Sequence, residues 1–316
     1  MKDKTKLIIL FIVAIFLIAL FLLYGMNQAN YEYLFTHRTP KILALIISAI
    51  TIAYSTIVFQ TITHNRILTP SIMGLDTMYV FIQTLIIFFF GSSSFLMINQ
   101  GFNFFISVIL MVGSSILMYK LVLKKRKNNI LFLLLIGTVL STFFRSFSSF
   151  LQMIIDPNEF TVLQNTMFAS FSHIQTDLLF YSILAILLII PFISDDFKIL
   201  DVCNLGRDNA INLGIDYDRL MKKSLIIIAI LISISTALVG PITFLGIIIA
   251  NLAKEFLHTY KHTLQVLVAS LMGIIFLFGG QFLVERVFNF NTPLSVIINF
   301  IGGFYFIILL LKESRL

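Results

Sequence analysis

Charge is what this chain has least of. Asp, Glu, Lys and Arg make up only 12% of its 316 residues, about half their share in a soluble domain. A water-facing surface of ordinary size cannot be built from so few charges. Cysteine is almost missing too. The single Cys203 excludes an intrachain disulfide and any metal site resting on cysteine pairs, and it reads as an inert thiol in a cytoplasmic loop. No Gly-x4-Gly-Lys-Ser/Thr stretch occurs, so the chain lacks the phosphate-cradling loop needed to hydrolyse ATP by itself. No nucleophile and base pair or metal motif falls inside an apolar run, which argues against an intramembrane enzyme. The expectation is a protein with no catalytic residue, no metal site and no cofactor.

What is abundant is apolar surface: 59% of residues are hydrophobic and the mean hydropathy is +1.00. A bilayer core takes about 20 apolar residues per helix. Runs near 7–24, 41–60, 71–90, 102–122, 130–152, 177–193, 222–239, 242–257, 263–283 and 294–311 predict an all-α polytopic membrane protein of about ten transmembrane helices. These fill residues 1–316 as a single transmembrane domain. The first run exceeds the apolar core of a signal peptide and lacks a small-residue cleavage site, so it reads as the first span.

The net charge of +7 is spread over short segments between runs, which suits a topology signal and not a nucleic-acid surface. Basic residues fall in alternate segments: Lys2, Lys4 and Lys6; Arg66; Lys124, Lys125, Arg126 and Lys127; Arg207, Arg219, Lys222 and Lys223; Lys254 and Lys261; Lys312 and Arg315. The intervening segments hold Arg38 and Lys41, then Asp156, Glu159 and Asp177, then Glu285 and Arg286. By the positive-inside rule both termini lie in the cytoplasm of a multi-pass cell-membrane protein.

Residues 194–223 form the longest cytoplasmic stretch. Leu205, Ala210, Leu213 and Ile215 recur at a spacing compatible with a short amphipathic helix, and Gly206 and Gly214 suit turns. Such a loop is either a docking surface for a soluble partner or a solvated connector. Within the apolar runs Arg145 is the intramembrane charge and a candidate for the path of an anionic solute, with Gln60, Gln83 and Gln152 as weaker candidates. His258 and His262 stand four apart, yet without a carboxylate or cysteine at compatible spacing they read as solvated residues at a membrane boundary, and His37 and His173 are similarly plain. An ion-coupled secondary transporter would need paired carboxylates within spans; Asp76 is placed near a cytoplasmic end and Glu285 near an external one.

Four stretches then carry a resemblance. Arg38-Thr39-Pro40-Lys41 opens the second run, followed by small residues (Ser48, Ala49, Ala53, Ser55, Thr56) and Gln60. His64-Asn65-Arg66-Ile67-Leu68-Thr69-Pro70 leads to Gly74. Leu205-Gly206-Arg207-Asp208-Asn209-Ala210-Ile211-Asn212-Leu213-Gly214 fits Leu-Gly-x3-Ala-x2-Leu-Gly, and Gly240-Pro241-Ile242-Thr243-Phe244-Leu245-Gly246 fits Gly-Pro-Ile-x-Phe-x-Gly, with Pro293, Gly302 and Gly303 later. The chain resembles the FecCD-type permeases of ABC importers for iron–siderophore complexes, haem and cobalamin. It departs from that pattern at Arg66, where a proline is usual, and at Ala250, Asn251 and Lys254, where Pro-His-x-x-Arg is usual. The departures resemble a divergent branch serving catecholate-type siderophores in Gram-positive bacteria.

The resemblance implies a type II ABC importer permease fold and a membrane-spanning subunit that translocates an iron–siderophore complex, with haem or cobalamin as alternative cargo. It implies a second permease subunit, identical or similar, a cytoplasmic ABC ATPase dimer and an extracellular substrate-binding lipoprotein. Leu205, Gly206, Arg207, Ala210, Leu213 and Gly214 would couple to the ATPase. Arg38, Lys41 and Arg286 would receive acidic residues of the binding protein. Gly240 and Pro241 break a helix, and broken backbone at membrane depth is tolerated only when buried in protein or lining a cavity. They therefore join Arg145, Gln60 and Gln152 as candidates for the translocation path.

Overall fold

The computed structural model describes residues 3–27, 30–125, 130–171 and 174–313. Lys2, Arg126, Lys127, His173 and Arg315 lie outside them. Every regular element among the described residues is helical. Ten helices fall on the ten expected runs: α1 (Asp3–Leu23), α2 (Tyr31–Thr63), α3 (Leu75–Phe90), α5 (Gln100–Lys125), α6 (Ile130–Ile154), α8 (Thr176–Ser194), α11 (Tyr217–Val239), α12 (Leu245–Phe256), α13 (His262–Arg286) and α14 (Leu294–Glu313). Short helices α4 (Phe95–Ile98), α7 (Pro157–Met167), α9 (Asp196–Cys203) and α10 (Arg207–Asn212) lie in the connections.

Among the described residues seven helices are long and apolar enough to cross a membrane, and Leu75–Phe90 is a shorter apolar one. The short members have a structural cause. At 1.5 Å per residue the 16 residues of α3 extend about 24 Å and the 12 of α12 about 18 Å, both less than a bilayer core. Each follows non-helical backbone: α3 begins after a 3-10 turn at Pro70–Met73, and α12 after the 240–244 break.

The core forms around α2, which packs chiefly on α13 and α11. Its small residues are the means. Ser48, Ala49, Ala53, Ser55 and Thr56 are buried, and a Cβ on Gly273 of α13 would sit 3.1 Å from that of Ala49. In lipid, where apolar surface alone does not drive helices together, such close approach supplies the packing. The lipid-like exterior is the converse: Ile8, Phe11, Ile12, Ile15 and Phe16 on α1 and Phe300, Phe304 and Ile308 on α14 are exposed.

Gly240 fixes the break. Its φ of +93° stops α11, and Ser170 N–H donates to the Val239 carbonyl at 2.8 Å. The segment after α7 is thereby stitched beside the end of α11. Asp156 caps α7 by accepting from Asn158 N–H at 2.8 Å, and Pro157 follows at its first position. Glu159 accepts from Ser92 N–H, tying α7 to the turn after α3.

Candidate functional site

A cavity of about 280 Å³ opens where α3, α6, α14 and the 240–244 break converge. Arg145 and Gln152 from α6 line it together with Pro241, so three of the five expected path residues meet. Arg145 is exposed and, among the described residues, in no ion pair. It shares one exposed face of α6 with Thr138, Thr142 and Ser149, a polar stripe at helical spacing. A polar stripe on an otherwise apolar helix belongs against protein or water and not against lipid tails.

Asp76 also lines this cavity. It lies against the break, where Thr243 Oγ1 donates to its carboxylate at 2.9 Å and Thr236 Oγ1 at 3.5 Å. Eleven residues of non-helical and 3-10 chain after α2 carry α3's first turn there. No local pattern around Asp76 reports this, because both hydroxyls come from more than 150 residues away.

The other two path residues are elsewhere. Gly240 is buried, and a Cβ there would come within 2.9 Å of Ala169 Cα and the Phe168 carbonyl. It holds the wall and does not line it. Gln60 sits at the last turn of α2, where its Nε2 donates to the Arg66 carbonyl at 2.6 Å and its Oε1 accepts from Lys254 Nζ at 2.7 Å. Those residues border a second cavity of about 730 Å³. Gln83 is buried in a network with Asn103 and Ser107 that joins α3 to α5.

Within residues 194–223 two short helices form, α9 and α10, the latter where the amphipathic spacing places one, before α11 begins at Tyr217. Gly206 and Gly214 adopt φ of +100° and +86° with nothing within 4 Å of an added Cβ, so their backbone conformation and not crowding calls for glycine. Ala210 is fully buried while Leu205, Ile211 and Leu213 are exposed. Arg207 faces Asp218 at 3.5 Å. Leu205, Ile211 and Leu213 thus stand exposed on an otherwise polar segment. Burial pushes the Cys203 thiol up to about 11, in keeping with an inert thiol.

The segment is tied to the bundle by a contact that spacing alone misjudges. His262 is not solvated. It is fully buried, Nδ1 lies 2.7 Å from Asp201 Oδ1, and Nε2 lies 2.8 Å from Thr61 Oγ1. Its carboxylate partner is 61 residues away, beyond the reach of a search for local ligand spacing. Lys223 Nζ donates to Asp196 at 2.7 Å, and Tyr217 Oη donates to the Ile62 carbonyl at 2.9 Å.

At the opposite end, the three expected docking residues have different surroundings. Arg38 is buried and one guanidinium nitrogen donates to the carbonyls of Phe21, Leu22 and Tyr24 at 3.0, 2.8 and 2.7 Å. It caps the end of α1, where a cation is favoured by the helix dipole. Lys41 pairs with Glu285 at 3.8 Å. Arg286 is exposed, its guanidinium 4.6 Å from the centre of the Tyr24 ring.

Residues 5–312 match the FecCD transport family. The chain is 52% identical to the petrobactin import system permease protein YclO of Bacillus subtilis (strain 168), over 315 residues that cover 100% of this chain and 99% of that one. It is 34% identical to the petrobactin import system permease protein FatC of Bacillus anthracis, over 88% of this chain and 79% of the relative. A solved structure described as an inward-facing conformation of a metal-chelate type ABC transporter matches with a TM-score of 0.83 at 23% identity, covering 98% of this chain and 99% of the other. At that identity the likeness concerns the fold.

Proposed function

Since the chain belongs to the FecCD transport family, we propose that it is the membrane-spanning permease subunit of an ABC importer that carries an iron–siderophore complex inward, with ferric petrobactin as the cargo. One observation carries this reading: 52% identity along the whole chain to a petrobactin import permease. That identity favours a siderophore over haem or cobalamin.

The cavity supports it physically. Ferric catecholates are commonly anionic, and Arg145, in no ion pair among the described residues while Asp76 of the same cavity is engaged by the Thr236 and Thr243 hydroxyls, lowers the cost of bringing an anion into a low-dielectric path. In this reading the exposed polar stripe of α6 faces a second permease subunit across the path. The ten helices on the expected runs cross the membrane ten times, α3 and α12 starting at depth from their broken segments, and both termini are cytoplasmic. Residues 205–214 then seat on an ATPase subunit, with Leu205, Ile211 and Leu213 as the contact and buried Ala210 anchoring α10 to the bundle. Arg286 supplies the exposed charge that meets an extracellular binding lipoprotein, while Arg38 and Lys41 shape that end of the bundle. ATP hydrolysis belongs to the partner.

Deleting the gene tests the cargo. The deletion strain should lose growth on ferric petrobactin as the sole iron source and regain it when the chain is supplied on a plasmid. Undiminished growth of a strain deprived of every other petrobactin permease contradicts the reading.

A further inference from the structure

Three of the four positions at which the sequence departs from its family pattern, Arg66, Asn251 and Lys254, come together in the fold. They border the cavity of about 730 Å³ near α9. Asn251 Nδ2 donates to the Arg66 carbonyl at 3.0 Å, Gln60 Nε2 donates to the same carbonyl at 2.6 Å, and Lys254 Nζ donates to Gln60 Oε1 at 2.7 Å. One small network therefore replaces the usual proline, histidine and arginine.

Two cations, Arg66 and Lys254, line this cavity with one carboxylate, Glu255. Among the described residues Lys254 is in no ion pair; its bonded partner is a neutral amide, and Arg66 lies close enough to repel it. A largely sequestered cation outside any ion pair is costly unless something anionic joins it. The cavity is of the size that takes a multi-atom ligand. Glu255 and His258 also border it.

Its position relates it to the first cavity. Thr243 and Asn299 line the first, whereas Lys254 and Leu309 line the second. Thr243 stands in the break just before α12; Leu245 to Lys254 along α12 and Asn299 to Leu309 along α14 correspond to about 14 and 15 Å of helix rise. α14 therefore lines both cavities and α12 runs from the break at the first to the second, with Arg145 in one and Arg66 and Lys254 in the other.

We propose that this second cavity is an anion site that receives the oxygen-rich, negatively charged ferric chelate after it leaves Arg145 and before it is released. The inference rests on the permease reading. Two cationic stations in series let a multiply charged solute move without crossing a long uncompensated stretch of low dielectric.

The test is equilibrium binding of 55Fe-labelled ferric petrobactin to the full permease assembly in nanodiscs without nucleotide. All proteins carry Arg145→Gln, so that the first station contributes little. The parent should bind with an affinity that falls with salt. Adding Arg66→Gln and Lys254→Gln together should weaken binding about tenfold, and Lys254→Arg should preserve it. Thermal melting of each protein separates loss of the site from loss of the fold. Equal binding by a folded double variant overturns the proposal, and so does a cavity that binds millimolar inorganic phosphate but not the chelate. Failure of the unmodified assembly to import ferric petrobactin at all would instead remove the permease reading.

Discussion

Gly240→Ala puts a methyl group where the backbone has no room for one. The residue sits at φ +93° and ψ 172°, a region essentially reserved for glycine, and holding another residue there costs about 1–3 kcal/mol. The new Cβ would stand 2.9 Å from Ala169 Cα, against about 3.5–4.0 Å for carbon atoms at ease, and the neighbour is backbone that cannot rotate away. Overpacking of this kind adds about 1–3 kcal/mol, so the substitution should destabilise by about 2–6 kcal/mol. Gly279→Ala is the control. It lies within α13 with nothing within 4 Å of an added Cβ, and a helical glycine replaced by alanine should gain up to about 1 kcal/mol. Thermal unfolding of the purified permease in detergent reads both. Because Phe168 and Pro241 line the Arg145 cavity, Gly240→Ala should also depress uptake in protein that remains folded. Equal melting of Gly240→Ala and the parent, or equal losses in the two variants, would refute the reasoning.

Three further outcomes follow from the assignments. Arg145→Gln should reduce uptake of the anionic ferric siderophore while protein level and ATPase activity persist; a neutral chelate of similar size should be spared, and equal effects on both would remove the electrostatic role. Ala210→Arg, which forces a charge into a fully buried position of α10, should break the link between ATP hydrolysis and uptake without dispersing the membrane fold; coupled transport in this variant counts against residues 205–214 as the ATPase contact. Arg286→Glu should weaken docking of the binding lipoprotein most at low salt, whereas an unchanged affinity there assigns Arg286 to anchoring on Tyr24.

The helices were legible in the sequence because apolar runs of bilayer length dominate it, and all ten expected runs coincide with helices. The small residues of the second run are those that let α2 approach α13 closely. Residues whose roles depend on partners far along the chain were not legible. His262 looked solvated until Asp201 and Thr61 closed around it. Arg38 looked like a surface charge, but the chain reversal between α1 and α2 turns it onto the last carbonyls of α1. Gln60 shares the polar, intramembrane character of Gln152, yet its depth in α2 places it in a different cavity. Spacing predicts which face a residue occupies, whereas only tertiary structure supplies what that face meets. Asp76 shows this most clearly, since the break that surrounds it was recognised from Gly240-Pro241 and its neighbour across the cavity was not.

The most direct measurement is ATP-driven accumulation of 55Fe-labelled ferric petrobactin in proteoliposomes that contain this chain, its partner permease, the ATPase and the binding lipoprotein. The account predicts accumulation that requires ATP and stops when this chain is left out. Accumulation that proceeds without the chain, or a complete assembly that hydrolyses ATP yet moves no iron chelate, would contradict it.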